Sequence, residues 1–350
     1  MNGGANGGLS CPVPANERER ILLGHGGGGR LMHNLLRDLV FAKIPNCDPK
    51  TMHDGAILLS EGQRLAFTTD SYVVKPLFFA GGSIGSLAVY GTVNDLAMCG
   101  ARPLALSCAL IIEEGLELSI LERVLSDMAL AADKAGVAIR TGDTKVVERG
   151  KADGLYINTA GIGALDFSES NIGPGQIQAG DVVLLSGDVG RHGVAVLAAR
   201  EGLEFGSTIE SDNAPLREPV RALLEAGIEI HCLRDLTRGG LAQTAIELCE
   251  QSGLFFQLDE SEIFVLPEVT AACEILGLDP LYLANEGRFV VVLPEKVAAR
   301  ALEVLTQYDA AYARRIGFVG RQPGPVRLRS RIGTERILDM QSGEQLPRIC

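Results

Sequence analysis

Leu65-Ala66-Phe67-Thr68-Thr69-Asp70-Ser71 decides how this chain is read. Leu65 to Thr68 is a β-type segment, and it runs into an acidic residue flanked by hydroxyls. The form returns at Thr141-Gly142-Asp143-Thr144-Lys145, where a strand-like segment again ends in an Asp. Val93-Asn94-Asp95-Leu96 sets a third Asp inside a helix predicted over Ser83 to Cys99, amid Ala, Val and Leu, where a carboxylate suits no core face. Two readings stand. Either each Asp is a cap or turn residue, or the three converge from separate elements on a Mg²⁺ ion, which takes oxygen ligands and is commonly shared with substrate phosphates.

Outward from these stations the chain alternates. Strands are expected at Ala56 to Leu59, Leu104 to Ile112 and Leu155 to Ala164, with helices at Arg30 to Lys43 and Leu118 to Ala135. The turn-rich stretch Phe167 to Gly180 marks a domain boundary. Beyond it, strands at Val182 to Ser186, Arg288 to Leu293 and Ile316 to Gly320 alternate with helices near His192 to Glu201, Pro215 to Ala226, Leu241 to Gln251 and Lys296 to Tyr308. The expectation is mixed α/β, with an N-terminal domain over 1–170, a C-terminal α/β domain over 171–333 and a mobile tail over 334–350.

Composition narrows the function classes. A length of 350 residues fits two domains, and 46% hydrophobic with 22% charged residues is ordinary for a globular chain. No apolar run approaches the roughly 18 to 20 residues of a membrane helix. The balance of 32 basic against 44 acidic residues, a net charge of −12, disfavours nucleic acid and anionic lipid. Met1 to Pro14 carries no secretory pattern, so a cytoplasmic location is expected. Two oddities remain: 42 glycines, and eight cysteines of which Cys350 is the last residue. The other seven, Cys11, Cys47, Cys99, Cys108, Cys232, Cys249 and Cys273, form no metal-type spacing and read as plain thiols.

Gly24-His25-Gly26-Gly27-Gly28-Gly29 opens onto the first helix, as a hinge or as backbone that wraps phosphates. It is neither a Walker loop nor a dinucleotide fingerprint. Arg234-Asp235-Leu236-Thr237-Arg238-Gly239-Gly240 sets two guanidinium groups and a carboxylate before a helix, as a salt-bridged turn or a phosphate site. Ala284-Asn285-Glu286-Gly287 precedes a strand, and His25 and His192 sit in glycine-rich loops without an assigned role.

Together these stretches, with Thr68-Thr69-Asp70-Ser71-Tyr72-Val73-Val74, Gly81-Gly82-Ser83-Ile84-Gly85 and Gly91-Thr92-Val93-Asn94-Asp95-Leu96-Ala97, resemble the HypE family of hydrogenase maturation factors, the carbamoyl dehydratases. That family is similar to aminoimidazole ribonucleotide synthetase, selenophosphate synthetase and thiamine monophosphate kinase. The Asp-Ser-Tyr-Val-Val segment and the ending Pro347-Arg348-Ile349-Cys350 point to HypE within that superfamily. Four consecutive glycines where relatives often carry a Ser, and an extended N-terminus, depart from the pattern.

The resemblance implies a two-domain PurM-like fold whose N-terminal domains pair as a homodimeric β-barrel, binding ATP and Mg²⁺. It implies that HypF places a carbamoyl group on Cys350, that ATP drives its dehydration to a thiocyanate, and that cyanide passes to iron on HypC and HypD. A thiol at the end of a tail can visit a partner and then its own site. Glu286 is the candidate base, and Lys145 steers phosphate or joins the proton relay. ATP contacts are assigned to Gly26, Gly27, Gly28, Gly29, Asp70, Thr92, Asn94, Asp95, Thr141, Gly142, Asp143, Lys145, Arg234 and Asp235, and metal ligation to Asp70, Asp95, Asp143 and Asp235. A small-molecule enzyme like selenophosphate synthetase, or a non-catalytic metal-site scaffold, are the competing readings; neither gives Cys350 an ATP-dependent role.

Overall fold

The structure, a computed structural model, describes residues 20–44, 53–167, 171–308, 312–342 and 348–350. Cys11, Cys47 and the tail segment 343–347 lie outside the described residues. Among the described residues, the glycine run leads into α1 (Arg30–Leu35), which continues through a π-helical turn (Leu36–Val40) into α2 (Phe41–Lys43), the helix expected over that stretch.

Five strands form the N-terminal sheet: β1 (Ala56–Ser60), β2 (Gln63–Tyr72), β5 (Arg102–Glu113), β6 (Ile139–Val147) and β7 (Leu155–Ala164), in the order β1-β2-β7-β5-β6. A short pair, β3 (Phe78–Phe79) and β4 (Gly82–Ser83), leads into the helix α3 (Ile84–Met98). Strands β5 and β6 are parallel, joined by α4 (Leu118–Ala135); the other pairings in this sheet are antiparallel. Both Asp-bearing strands run past the acidic residue instead of ending there. The β-formers Tyr72 and Val146-Val147 extend the ladders, leaving Asp70 two residues from the end of β2 and Asp143 mid-strand in β6.

Alternation along β2 turns Ala66, Thr68 and Tyr72 into the core and Phe67, Thr69 and Ser71 outward. The side chains this sheet exposes include Ile57, Leu59, Phe67, Leu104, Ile139 and Val146, an apolar set at odds with a solvated surface.

Seven strands form the second sheet: β8 (Asp181–Leu185), β9 (Cys232–Asp235), β10 (Phe256–Asp259), β11 (Phe289–Pro294), β12 (Arg314–Val319), β13 (Arg327–Arg329) and β14 (Glu335–Ile337), in the order β14-β13-β10-β12-β8-β11-β9. Helices α5 (Arg191–Glu201), α6 (Arg217–Glu225), α7 (Gly240–Ser252), α8 (Pro267–Leu276) and α9 (Glu295–Leu305) complete this half. The short strands β9 and β10 and the helix α8 escaped sequence reading: β9 ends in Arg234-Asp235, which no β propensity favours, and β10 has four residues. No described helix is long and apolar enough to cross a membrane.

The N-terminal core is not closed by its own half. It packs Val194 and Val196 of α5, Val269 of α8, and Ile349 and Cys350 from the end of the chain. Helix α3 is the pivot: capped by Ser83, whose hydroxyl accepts from Ser86 N, it touches β2, β7 and α4 on one side and α6 and β9 on the other, so it is buried on every side. Its Gly91 is forced, since a Cβ there would lie 2.3 Å from the hydroxyl of buried Tyr72. Helix propensity alone would make Gly91→Ala stabilising by up to about 1 kcal/mol. Overpacking against an immobile ring reverses the sign by about 1–3 kcal/mol. Gly91→Ala should therefore lower the thermal midpoint, and a midpoint at or above the parental value in a melting experiment would contradict this account of α3.

Candidate active site

Helices α1, α3 and α7, strands β2 and β9 and the loop before β11 enclose a cavity of about 540 Å³. Its lining includes Gly28, His33, Asp54, Thr68, Asp70, Gly91, Asp95, Arg234, Asp235, Arg238, Glu247, Glu286 and Cys350. Asp54, Asp95 and Asp235 each bring one carboxylate oxygen within 4.8 Å of the others. Asp54 comes from the loop before β1, Asp95 from α3 and Asp235 from the end of β9, so the cluster exists only when both halves are assembled.

The electrostatics are those of acids held out of water. Burial holds Asp54 well above the ordinary carboxylate range, against Arg234 and with Asp235 and Glu247 adding repulsion. Asp95 is raised likewise by burial and then by Asp235, Asp54 and Asp70, although the Thr68 hydroxyl donates to it at 2.7 Å. Asp235 is pushed up to about 6, chiefly by burial. Arg234 offsets part of this charge, its Nε 2.9 Å from Asp54 and its Nη2 2.9 Å from Glu247. Glu247 also bonds His33 at 3.2 Å and Gln243 at 3.0 Å, which ties the first helix to the cavity wall.

Asp54 Oδ2 is buried with no hydrogen-bond partner. An orphaned carboxylate oxygen beside two more acids is the donor set a hard divalent cation needs, so these residues fit Mg²⁺. Sequence reading missed Asp54; the signal was His53-Asp54-Gly55 immediately ahead of a strand, the acid at a strand's start where the other stations seemed to have it at the end. Asp70 lines the cavity but stands outside the three-acid cluster, its Oδ1 accepting from Ser71 N at 2.7 Å.

Other expected residues are placed differently. Thr92 is buried behind the cavity, its hydroxyl 2.6 Å from that of Thr159, and Asn94 staples α3 to the second half, donating to Ala214 O and accepting from Leu216 N at 2.7 Å. Their polar atoms are taken by the scaffold, and neither residue is among those that line the cavity. Of the glycine run, Gly28 reaches the cavity, with φ +79°, while Gly26, Gly27 and Gly29 are not among its lining residues. Thr141, Gly142, Asp143 and Lys145 are not either: they lie exposed along the edge strand β6, where Lys145 pairs with Asp143 at 2.5 Å and holds that carboxyl below its ordinary value.

Glu286 and Cys350, expected to react together, do share the cavity. Glu286 Oε1 is buried without a partner, and burial, then Asp235, Asp212 and Asp70, raise its carboxyl well above the ordinary range. Its backbone is fixed by Asp212, which accepts from Glu286 N at 3.2 Å and Gly287 N at 3.0 Å. At the end of the tail expected from sequence, Ile349 and Cys350 are buried in the body of the protein.

A family model for the AIR synthase related protein, N-terminal domain, matches residues 52–165, and that for its C-terminal domain matches residues 178–327. The chain is 48% identical to a carbamoyl dehydratase HypE of Rhodobacter capsulatus over 95% of this chain and 98% of that one. Among solved structures, a HypE in complex with ATP superposes with a TM-score of 0.79 at 46% identity, covering 95% of this chain and all 100% of that chain. A HypE–HypF complex gives 0.82 at 44% identity, covering 87% and 99%.

The acid cluster makes a prediction about pH. The unfolded chain releases the Asp235 proton near the ordinary carboxylate value and the folded chain only near 6, so the folded state holds the proton in between. With excess chelator, this group's contribution to stability is present at low pH and lost as pH rises through 6. Asp235→Asn should therefore gain stability relative to the parent between pH 4 and 7; a constant difference across that range in denaturant melts would remove the repulsion argument.

Proposed function

Because this chain belongs to the HypE family of carbamoyl dehydratases, we propose that it carries a carbamoyl group on Cys350 and dehydrates it with ATP to a thiocyanate. The product supplies cyanide during maturation of [NiFe]-hydrogenase. What supports this reading above all is one observation: Cys350 sits in the same cavity as Glu286 and the three-acid cluster.

The chemistry asks for three things. Oxide is a poor leaving group, so the carbamoyl oxygen attacks the γ-phosphorus of ATP, ADP departs, and the oxygen later leaves as phosphate. Two protons must leave nitrogen as the C≡N bond forms. Glu286, desolvated and lacking a hydrogen-bond donor on Oε1, is a stronger base than a solvated carboxylate and takes one of them, while the departing phosphate carries the other. Asp54, Asp95 and Asp235 would hold Mg²⁺, which when bound neutralises triphosphate charge. Arg238 and the Gly28 backbone face the phosphates, while Arg234 is engaged with Asp54 and Glu247.

Asp143 and Lys145 join this chemistry only through a second copy. They project from the edge of a sheet whose exposed side chains include Phe67, Leu104, Ile139 and Val146, a surface suited to pairing with itself. The proposal is therefore a homodimer in which β6 of one copy serves the cavity of the other. HypF is the carbamoyl donor, a HypC–HypD complex the acceptor, and the cytoplasm the compartment.

Mass spectrometry of the C-terminal peptide tests the sequence of events. HypF, carbamoyl phosphate and ATP should add about 43 Da to Cys350, falling to about 25 Da as water is lost. Glu286→Gln should accept the first mass and slow the second step by about 10²-fold or more. Normal turnover in Cys350→Ala would end the proposal. For the metal, Mg²⁺ alone should raise the thermal midpoint of the parent and not of Asp54→Asn; equal shifts would remove Asp54 from the ligand set.

A further inference from the structure

The last three residues are gripped by their backbone. Arg348 O accepts from Arg200 Nη2 at 2.7 Å, Ile349 O from His192 Nε2 at 2.9 Å, and the main-chain oxygen of Cys350 from Val73 N at 3.0 Å. The Arg348 guanidinium also bonds Val73 O at 3.1 Å and pairs with Asp153. Arg348 itself holds φ +58°, a left-handed conformation that is strained for a non-glycine residue and persists only where the surroundings impose it.

His192 holds the centre of this grip. It is fully buried in the first turn of α5, edge-on to the Phe79 ring, and burial lowers its affinity for a proton, so the ring is neutral. A carbonyl only accepts, so the single ring proton is on Nε2, facing Ile349 O. Nδ1 then accepts from the Ser211 hydroxyl at 2.8 Å, while Ser211 Oγ accepts from Asn213 N at 3.1 Å, a chain consistent in every direction. The same Nε2 stands 3.9 Å from Glu286 Oε1, the atom without a partner.

One N–H thus faces two acceptors. We propose that His192 and Arg200 form a latch for the C-terminal tripeptide, and that His192 is a positioning residue whose Nε2–H bonds Ile349 O when the tail is docked and Glu286 when it is not. Docking of Cys350 then strips Glu286 of its donor at the moment a base is wanted, and departure of the tail quiets it. The second half rests on the dehydratase reading above; the latch itself does not.

The two are separated by two measurements on the full chain. In ATP-free protein, iodoacetamide labelling of Cys350, followed in its own peptide, reports tail release. Loss of the hydrogen bond that each side chain gives the tail should speed it about fivefold or more in Arg200→Ala and in His192→Ala. His192→Gln, whose amide can donate to Ile349 O and accept from Ser211, should label near the parental rate. Parental rates in both alanine variants, or equal rates in His192→Gln and His192→Ala, would overturn the latch. If His192→Ala does not fold, Arg200→Ala, a half-buried side chain on the last turn of α5, decides alone. With protein already carbamoylated, single-turnover dehydration should fall at least tenfold in His192→Ala and recover in His192→Gln, while carbamoyl uptake from HypF is unchanged or faster. Uptake and dehydration falling together would overturn the positioning role. Absence of dehydration in the parent itself would count against the proposed function and leave the labelling result standing.

Discussion

Four carboxylates held out of water around one cavity, Asp54, Asp95, Asp235 and Glu286, are the constraint from which the rest of this structure follows. Clustered buried acids repel and are costly unless cations or hydrogen bonds reach them. The fold meets part of that cost with Arg234 and Thr68 and leaves oxygens on Asp54 and Glu286 unpaired. A unit that keeps such a site must be stabilised elsewhere, and α3, buried on every side and packed between the two sheets, is where that happens. Asp95 is carried on that helix, so the element that joins the halves also brings an acid to the cluster.

The two ends of the chain meet at this cavity. Helix α1 begins beside residues 340–342: Arg30 N donates to Gln341 O at 2.9 Å, and its guanidinium reaches Met340 O at 2.6 Å. Seven and eight residues beyond Ser342, Ile349 and Cys350 join the core of the N-terminal half. The helix that follows Gly28, the glycine that lines the cavity, is therefore fastened to residues 340–342 near the chain's end.

How much was legible depended on whether a residue's job was local. Asp95 announced itself because a carboxylate in an apolar helix violates the helix's own pattern, and Glu286 because it follows a turn and precedes a strand. Asp54 sits in an unremarkable loop, and only its approach to two acids from distant strands and helices gives it a role. Asn94 looked like a ligand because it precedes Asp95, yet a helix turns successive residues through about 100°, which points it at the second half instead, and Thr92, three residues before Asp95, spends its hydroxyl on Thr159. Asp143 and Lys145 carry the same strand-borne motif as Asp70 and lie on the opposite edge of the sheet, a separation set by strand order, which local pattern does not encode.

The sequence by itself determined the alternation of strands and helices, the acids that interrupt apolar segments, and a cysteine as the last residue, because periodicity and chemical misfit are properties of short windows. Only the tertiary structure decided which acids meet, that Asn94 serves the scaffold, and that Ile349 and Cys350 are buried instead of trailing in solvent. The reason is that much of the tail's grip is on its backbone, where Arg200, His192 and Val73 hold main-chain oxygens that every sequence possesses, while the side-chain pairing of Arg348 with Asp153 joins residues 195 apart, beyond any local pattern.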